Sequence, residues 1–160
     1  MLEIAPAVYV GPDKMSFELC SFIGLQDTLS GTLGRHYFNS CYIEGVVDFI
    51  WGFGQSVYQN CTINATAHVL APGLTGFIAA QGRTSAQDES GYVFSGDEWL
   101  GLDKGTITYA EIACTGPGSD VSNRVKWMKD PPDRELQPLV DIQQFINQDG
   151  WLNQTTTTFF

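Results

Sequence analysis

The chain has 160 residues, enough for one domain that buries most of the surface exposed by the unfolded polypeptide. Apolar residues make up 43% and charged residues 16% of the sequence, which excludes disordered and fibrous proteins and indicates a globular one. The net charge of -10 argues against nucleic-acid binding, because phosphates require a basic surface, and no run of about 18 apolar residues predicts a membrane span.

A repeat of about 20 residues organises the first half of the chain. Cys20, Cys41 and Cys61 are spaced by 21 and 20 residues. Three residues before each cysteine lies an aromatic residue (Phe17, Phe38 or Tyr58), and two residues after it lies an apolar one (Phe22, Ile43 or Ile63). Four residues after it lies a small residue (Gly24, Gly45 or Ala65), and nine residues after it an aliphatic one (Leu29, Ile50 or Leu70). A unit of this length, rich in strand-forming residues, is too short for a pair of helices and predicts one coil of a parallel β-helix.

Equal positions of successive coils stack at the spacing of β-strands, about 4.8 Å. We therefore expect the aromatic and cysteine columns to line the core, and the small residues to mark a corner, where glycine tolerates a positive φ. The stacked thiols are expected to be core side chains and not disulfides. A zinc site is not expected, because the chain has no CxxC pair and only two histidines, His36 and His68. Cys114 stands outside the repeat.

Beyond Leu70 the register of the repeat loosens. Residues 71–91 carry loop residues around a short apolar run, and residues 91–97 (GYVFSGD) begin another unit. In that unit Phe94 takes the aromatic column, but the cysteine column falls on Asp97.

The remainder of the chain predicts different elements. Residues 105–118 predict one strand ended by turn residues, and residues 130–152 predict a capped helix or two. Val140, Ile142 and Phe145 share an apolar face of this helix.

These elements predict one all-β domain. Residues 1–96 form the coils of the parallel β-helix and carry the acids described next. Residues 97–160 form a C-terminal strand and helix tail that packs on the solenoid and covers an edge that would otherwise be open.

Two aspartates, Asp27 and Asp48, each lie seven residues after a cysteine of the repeat. If the register holds, their carboxyl groups project from adjacent rungs at a distance on the order of 5 Å. Two acids this close do not ionise together easily, so one stays protonated to a higher pH while the other is an anion. That division supplies a general acid and a nucleophile or base. The alternative is a pair of solvated corner residues or a cation site.

The neighbours of this pair favour catalysis. Gln26 supplies an amide donor for a developing oxyanion. Trp51, Phe49 and Tyr42 offer flat apolar surface on which sugar rings pack, although aromatic residues of a β-solenoid more often lie in its core. His68 also follows its cysteine by seven residues, but the loop after it breaks the register, so a surface position is expected. A Ser/His/Asp triad and a phosphate-binding loop are not supported, since neither GxSxG nor GxxxxGK[ST] occurs.

Several long strings resemble those of one family. They are GLQDTL (24–29), GRHYFNSCYIEGVVDFIWG (34–52), AAQGRTS (79–85) and TYAEIACTGPGSDVSNRVKWM (108–128). Together they are similar to the pectin methylesterases, or pectinesterases, of the plant type.

The resemblance implies a right-handed parallel β-helix that removes methyl esters from the galacturonate units of pectin without a metal or organic cofactor. Asp48 corresponds to the family's nucleophile, Asp27 to its general acid and base, and Gln26 to a residue that holds the oxyanion. We expect Trp51 and Phe49 to contact the substrate. The resemblance also implies a secreted, monomeric cell-wall enzyme whose partners are pectin and a proteinaceous inhibitor, with no nucleic-acid or membrane partner.

The sequence departs from the family at two places. An upstream glutamine that also serves the oxyanion falls on Ile4, by counting back from Cys20. A Leu-Gly-Arg motif, whose arginine holds the nucleophilic aspartate, is absent between GYVFSGD and the tail. The four arginines of the chain do not match that motif: Arg35, Arg83, Arg124 and Arg134. We expect a truncation at the N-terminus, with the secretion signal missing, and an internal deletion near residues 95–100.

These departures predict weak or no esterase activity, because the nucleophile lacks the cation that keeps it ionised and aimed. A second interpretation is a non-catalytic β-helix that binds pectin or regulates a partner. A β-helix polysaccharide lyase or hydrolase ranks last, since the chain shows no cluster of acids beyond the pair.

Overall fold

The strands of this chain are short and pair in parallel with strands one coil away. The computed structural model describes residues 3–74, 76–82, 88–100, 111–112, 114–120, 122, 138 and 141–154. Within these ranges the strands are β1 (Val8–Val10), β2 (Met15–Glu18), β3 (Ser21–Ile23), β4 (Leu29–Gly31), β5 (Arg35–Asn39), β6 (Tyr42–Gly45), β7 (Val47–Gly52), β8 (Gln55–Gln59), β9 (Thr62–Ala65), β10 (Phe77–Gln81), β11 (Gly91–Ser95), β12 (Glu98–Leu100) and β13 (Glu111–Ile112).

Three parallel sheets form the walls of the molecule. The first sheet has the strand order β1-β4-β7-β10, the second β2-β5-β8-β11-β13 and the third β3-β6-β9-β12. Each coil gives one strand to each sheet before the chain moves on to the next rung. Val8 pairs with Leu29, and Leu29 pairs with Ile50, so the first coils keep a constant register. The prediction of an all-β parallel β-helix is confirmed.

The aromatic column forms a continuous stack through the core. Phe17, Phe38, Tyr58 and Phe94 occupy paired positions in successive strands of the second sheet. Their rings are nearly parallel, with centroids separated by 5.0, 4.9 and 4.8 Å along the stack. These separations match the strand spacing of about 4.8 Å, so the backbone register itself brings the rings into contact. The prediction that Phe94 continues the column is confirmed.

The cysteines form a second column beside the aromatic stack. Cys41 and Cys61 are 2% and 1% exposed. Their Sγ atoms lie 3.6 and 3.5 Å from the carbonyl oxygens of Phe17 and Phe38, one coil away. The four cysteines are free thiols. Cys41 and Cys61 are therefore small core side chains, as predicted.

Asp97 takes the next place in the cysteine column, as predicted. It is buried, and its Oδ1 accepts a hydrogen bond of 2.6 Å from the backbone N–H of Cys61. The N–H of Thr115 donates to the carbonyl oxygen of Asp97. In the same way, the N–H of Thr62, the residue after Cys61, donates to the carbonyl oxygen of Cys41 one rung earlier. Cys114 consequently lies one rung beyond Asp97. The prediction that Cys114 stands outside the repeat is wrong, because an altered spacing between these rungs hides the register.

The small residues at the corner are required for packing and not for backbone conformation. Neither Gly24 nor Gly45 has a positive φ. A Cβ atom on Gly24 would lie 2.5 Å from Thr28 Oγ1, and one on Gly45 would lie 2.2 Å from the Cβ atom of Phe49. The expectation of a positive φ is therefore corrected: glycine is needed because the residue four positions later packs directly against it.

Residues 66–76 interrupt the register between the third and fourth coils. They include a 3-10 helix at Ala67–Val69, in which His68 is exposed, as predicted. Strand β10 then resumes the first sheet so that Ala79 lies beside Ile50. The assignment of Leu70 to the aliphatic column is wrong, because this loop displaces the next strand along the sequence.

The C-terminal segment packs against the outer face of the second sheet. It contains a short helix, α1 (Ile142–Phe145), and a 3-10 helix at Trp151–Gln154. Three of its buried side chains form an apolar cluster with Val57 of β8 and Val93 of β11: Phe145, Ile146 and Trp151. In the described residues this segment covers a face of the second sheet, whereas we expected it to cover an edge of the solenoid.

Parts of the predicted tail lie outside the described residues. They include most of the strand predicted over 105–118 and, in the helix predicted over 130–152, Val140 and most of the residues that precede it. In the ranges that are described, no helix is both long enough and apolar enough to cross a membrane.

Arg35 fastens the C-terminal segment to the coils. Its guanidinium forms ion pairs with Asp13 at 2.7 Å and with Asp149 at 3.0 Å. Lys14 Nζ lies 2.9 Å from the same carboxylate of Asp149. Hydrogen bonding to Arg35 lowers the pKa of Asp13 to about 2.

Removing one ring of the aromatic stack should destabilise the solenoid. Phe38→Ala deletes a fully buried ring with neighbours on both sides, so we expect a loss of about 3–5 kcal/mol in the free energy of unfolding by urea. The matched control is Leu33→Ala at a 67% exposed site, where we expect a change within about 0.5 kcal/mol. Equal changes in the two variants would contradict the importance of the stack.

The ion pair of Asp13 should make stability depend on pH in the acid range. Because the pKa of Asp13 falls to about 2 in the folded state, its stabilisation is complete above the ordinary Asp pKa of about 4 and disappears as pH falls through about 2. Asp13→Asn should therefore lower the urea midpoint at pH 7 and converge on the parent near pH 2. The loss should be on the order of 1 kcal/mol or less, since the pair is partly exposed. Glu3→Gln, at an exposed carboxylate, serves as control, and a pH-independent loss in Asp13→Asn would count against this account.

Candidate active site

Asp27 and Asp48 occupy the same corner of two successive coils. The pairing of Leu29 with Ile50 puts them at matching positions on adjacent rungs, and the N–H of Asp27 donates to the carbonyl oxygen of Val47 at 3.1 Å. Both have left-handed backbones, with φ of 60° and 48°. Aspartate tolerates this conformation better than most residues, so two αL aspartates turn the chain here without glycine. The structure thus brings together the two acids that the repeat singles out.

Burial and proximity change the acidity of both groups. The pKa of Asp27 is raised by burial and, to a lesser degree, by the negative charge of Asp48. The pKa of Asp48 is raised by burial. Ionisation of both carboxyls therefore costs more in the folded chain than in the unfolded chain, so stability falls as pH rises from the ordinary Asp range through the raised pKa values. A pair in this setting keeps a proton at a pH where isolated aspartates have lost theirs.

Gln26 lies directly beside the acids. It forms an isolated parallel bridge with Val47, the residue before Asp48, and it is partly buried. Its carbonyl oxygen accepts a hydrogen bond from Ala5 in the preceding coil. Ile4, which occupies the position of the expected second glutamine, therefore lies near Gln26. Ile4 is 65% exposed. A butyl side chain at this place donates no hydrogen bond to an oxyanion.

Trp51 forms a wall next to the pair. Its indole Nε1–H donates to the carbonyl oxygen of Asp27 at 3.3 Å, so the ring leans from β7 back toward the corner. The side chain is partly buried on the outer face of the first sheet. Trp51 therefore presents an aromatic surface beside the carboxylates. A substrate contact by Trp51 stays a prediction.

Phe49 cannot fulfil the second predicted substrate contact. Its side chain is 0% exposed and belongs to the apolar core. It packs against Gly45, so closely that a Cβ atom there would lie 2.2 Å away. Alternation along β7 is broken at the corner, which turns Phe49 inward together with Ile50. The prediction for Phe49 is corrected: it supports the corner from inside the solenoid.

Among the described residues, Arg35 and His36 have partners other than the Asp pair. Arg35 is engaged by Asp13 and Asp149, and the remaining three arginines lie outside the described ranges. His36 is buried inside the solenoid, where Nδ1 lies 3.1 Å from Ser56 Oγ. Within those ranges no group of three or more His, Cys, Asp or Glu side chains is arranged to hold a metal ion.

Relatives of known sequence match most of this chain. The sequence profile of the family Pectinesterase matches residues 2–103. Probable pectinesterase 55 of Arabidopsis thaliana is 39% identical over 187 residues, covering 92% of this chain and 56% of its own length. Probable pectinesterase 29 of the same plant is 36% identical over 186 residues, covering 92% of this chain and 55% of its own length.

The matched lengths differ between the chain and these relatives. The chain spans about half the length of the curated relatives it matches. Each matched stretch, at 187 and 186 residues, is longer than the whole chain of 160 residues. The relatives therefore carry residues within the matched stretch that have no counterpart in this chain. This is consistent with the internal deletion expected from the sequence.

Solved structures share the fold. The pectin methylesterase from carrot superimposes with a TM-score of 0.75 at 24% identity, covering 92% of this chain and 61% of its own. A pectin methylesterase in complex with hexasaccharide VII gives a TM-score of 0.66 at 19% identity, covering 98% and 62%. At these identities the likeness shows a shared parallel β-helix.

Removing one acid should change the acidity of the other. In Asp48→Asn we expect the pKa of Asp27 to fall but to stay above its ordinary value, because burial is the larger cause of its shift and the charge of Asp48 the smaller. Asparagine also tolerates the left-handed backbone, so the corner should keep its shape. Titration of the carboxyl carbon of Asp27 by NMR measures this. The Asp13 carboxyl, held by Arg35, serves as internal control, and an unaltered pKa of Asp27 would show that the acids are not coupled.

Proposed function

Because the chain belongs to the pectinesterase family, we propose that its two aspartates hydrolyse the methyl ester of galacturonate units in pectin. The products are a free galacturonate carboxylate and methanol. The observation that carries this proposal is the placement of Asp27 and Asp48 on adjacent rungs, partly buried and with raised pKa values. Gln26 precedes Asp27 and bridges Val47, and the indole of Trp51 donates to the carbonyl oxygen of Asp27.

In the first half of the proposed reaction Asp48 is the nucleophile. Its carboxylate attacks the ester carbonyl carbon, and the carbonyl oxygen becomes an oxyanion that accepts a hydrogen bond from the amide of Gln26. When the intermediate collapses, the bond to the methoxy group breaks and Asp27 donates the proton that completes methanol. The galacturonyl group is left attached to Asp48 as an anhydride. The raised pKa of Asp27 suits this step, since an ordinary aspartate would have lost the proton.

The second half reverses the role of Asp27. Now ionised, it takes a proton from a water molecule as that water attacks the carbonyl carbon of the anhydride. The bond to Asp48 breaks, which releases the galacturonyl group as a carboxylic acid and restores the Asp48 anion and the protonated Asp27. The acid then gives its proton to the solvent and becomes the galacturonate carboxylate. Each group returns to its starting state, so no cofactor is consumed.

The site lacks two groups that would speed this reaction. Burial raises the pKa of Asp48, whereas a nucleophile must be ionised, and the family holds this aspartate with the arginine of its Leu-Gly-Arg motif. That motif is absent from the sequence. Ile4 replaces a second oxyanion donor. Loss of one such contact typically slows catalysis by about 10²–10³-fold, so slow turnover is expected.

A second function is favoured by the same two departures. With Ile4 exposed beside Gln26 and without the motif arginine, the chain would serve as a non-catalytic β-helix that binds pectin. The outer face of the first sheet, with Trp51, would still receive the polysaccharide. Binding without methanol release distinguishes this candidate from a slow esterase.

The family also suggests where such a protein acts and with what. We propose a cell-wall location, where methyl-esterified pectin is found, and pectin as the macromolecular partner. A proteinaceous inhibitor and a monomeric state are further proposals that follow from the family resemblance alone.

We further propose that residues 97–160 belong to the same domain as the coils of residues 1–96. This is supported by the pairing of β12 with β9 and of β13 with β11. The packing of the C-terminal segment on Val57 and Val93 also supports it.

Methanol release tests the proposed reaction. With methyl-esterified pectin in excess, we expect the purified chain to release methanol more slowly than a full-length relative by at least the roughly 10²–10³-fold typical of one lost contact. Asp48→Asn should abolish this release, while Glu89→Gln, which alters an exposed loop carboxylate, should retain it. Release by Asp48→Asn at the parental rate would disprove the proposed nucleophile. No release by the parent, with binding intact, would favour the non-catalytic candidate.

A further inference from the structure

An exposed aromatic residue lies on the same outer face of the first sheet as Trp51 and takes no part in the mechanism above. One outward column of the first sheet consists of Tyr9, Ser30, Trp51 and Ala80, in β1, β4, β7 and β10. Tyr9 is 68% exposed. An aromatic side chain this exposed contributes little to the core, and its ring is accessible to a ligand on this face.

Ser30 separates the two aromatic residues and lies beneath them. It is 0% exposed although it belongs to the outward column, and its Oγ has no hydrogen-bond partner among the described residues. A small side chain between two large ones, on rungs about 4.8 Å away, is covered by the inner atoms of its neighbours. Tyr9 and Trp51 are therefore the two large side chains of one outward column, two rungs apart, with serine between them.

The two rings point in opposite directions from this column. The indole of Trp51 reaches back to the carbonyl oxygen of Asp27 at 3.3 Å. The ring of Tyr9 reaches forward along β1, since a Cβ atom on Gly11 would lie 3.4 Å from its Cε1. Trp51 thus borders the reacting carboxylates, and Tyr9 extends the surface away from them.

The register gives the distance between Tyr9 and the acids. Val8 pairs with Leu29, so Tyr9 lies three residues beyond the position that matches Asp27. Three residues of chain span at most about 10 Å. A polysaccharide with one unit at the Asp pair can therefore reach Tyr9 with a neighbouring unit.

We propose that Tyr9 is a sugar-stacking residue for a galacturonate unit next to the one that reacts. This rests on the proposed function and makes its substrate an oligosaccharide of at least several units. The phenol ring offers an apolar face to the pyranose ring and a hydroxyl to its polar rim, as tyrosines do at wet interfaces. Tyr9 positions the polymer and takes no part in the chemistry.

Binding as a function of ligand length tests this assignment. The ligands are a methyl-esterified galacturonate hexamer and dimer, titrated calorimetrically into the Asp48→Asn chain so that neither is consumed. Adding Tyr9→Ala should weaken hexamer binding about tenfold and leave dimer binding within about twofold, because only the longer ligand reaches Tyr9. Tyr9→Phe, which keeps the aromatic face, should bind the hexamer within about threefold of the parent. Leu19→Ala, at a 72% exposed residue of another corner, should bind both ligands as the parent does.

Each other result overturns the assignment in a recognisable way. If Tyr9→Ala and Leu19→Ala bind the hexamer equally well, Tyr9 is not a contact, and methanol release by the parent shows whether the proposed function still holds. If Tyr9→Ala loses dimer and hexamer equally, the residue acts at the reacting unit and not at its neighbour. If the parent binds neither ligand, both this inference and the proposed substrate fail. Urea midpoints confirm that the variants compared are folded.

Discussion

The structure depends on the fixed spacing of parallel strands. Because each coil pairs with the next at about 4.8 Å, residues at equal positions must lie side by side whatever their chemistry. For Phe38 and Tyr58 this constraint is favourable, since flat rings stack at nearly the same distance. For Asp27 and Asp48 it is unfavourable, since it holds two like charges together. One geometric rule thus yields both the core that stabilises the fold and the pair that performs its proposed chemistry.

The candidate site reflects a balance between burial and charge. Burial raises the pKa of both aspartates, which helps Asp27 keep the proton that an acid must give. The same burial works against Asp48, which must be an anion to attack an ester. A cation would resolve this conflict by lowering the pKa of Asp48 alone. The Leu-Gly-Arg motif that would supply this cation is absent from the sequence. The role of Asp27 as acid is therefore better supported than the role of Asp48 as nucleophile.

The later coils show how the solenoid tolerates irregular lengths of chain. The described residues between β9 and β10 form a loop at a corner, after which β10 rejoins the first sheet. The core columns then continue through Phe94 and Asp97, and Cys114 follows one rung later. Loops of a solenoid project from its corners and do not disturb the stacked rungs, so insertions and deletions change the walls of a cleft more readily than the core beneath it.

The sequence by itself determined the repeat, the fold class and the neighbourhood of the two acids, because stacking converts sequence period directly into contact. It did not determine which residues of a rung face inward near a corner, where alternation fails: Phe49 turns into the core and Trp51 turns out. It also left Tyr9 without a role, since only the pairing with Ser30 shows the surface to which it belongs. Burial at such positions is decided by side chains one coil away, about 20 residues distant in sequence, and only the tertiary structure brings those contacts together.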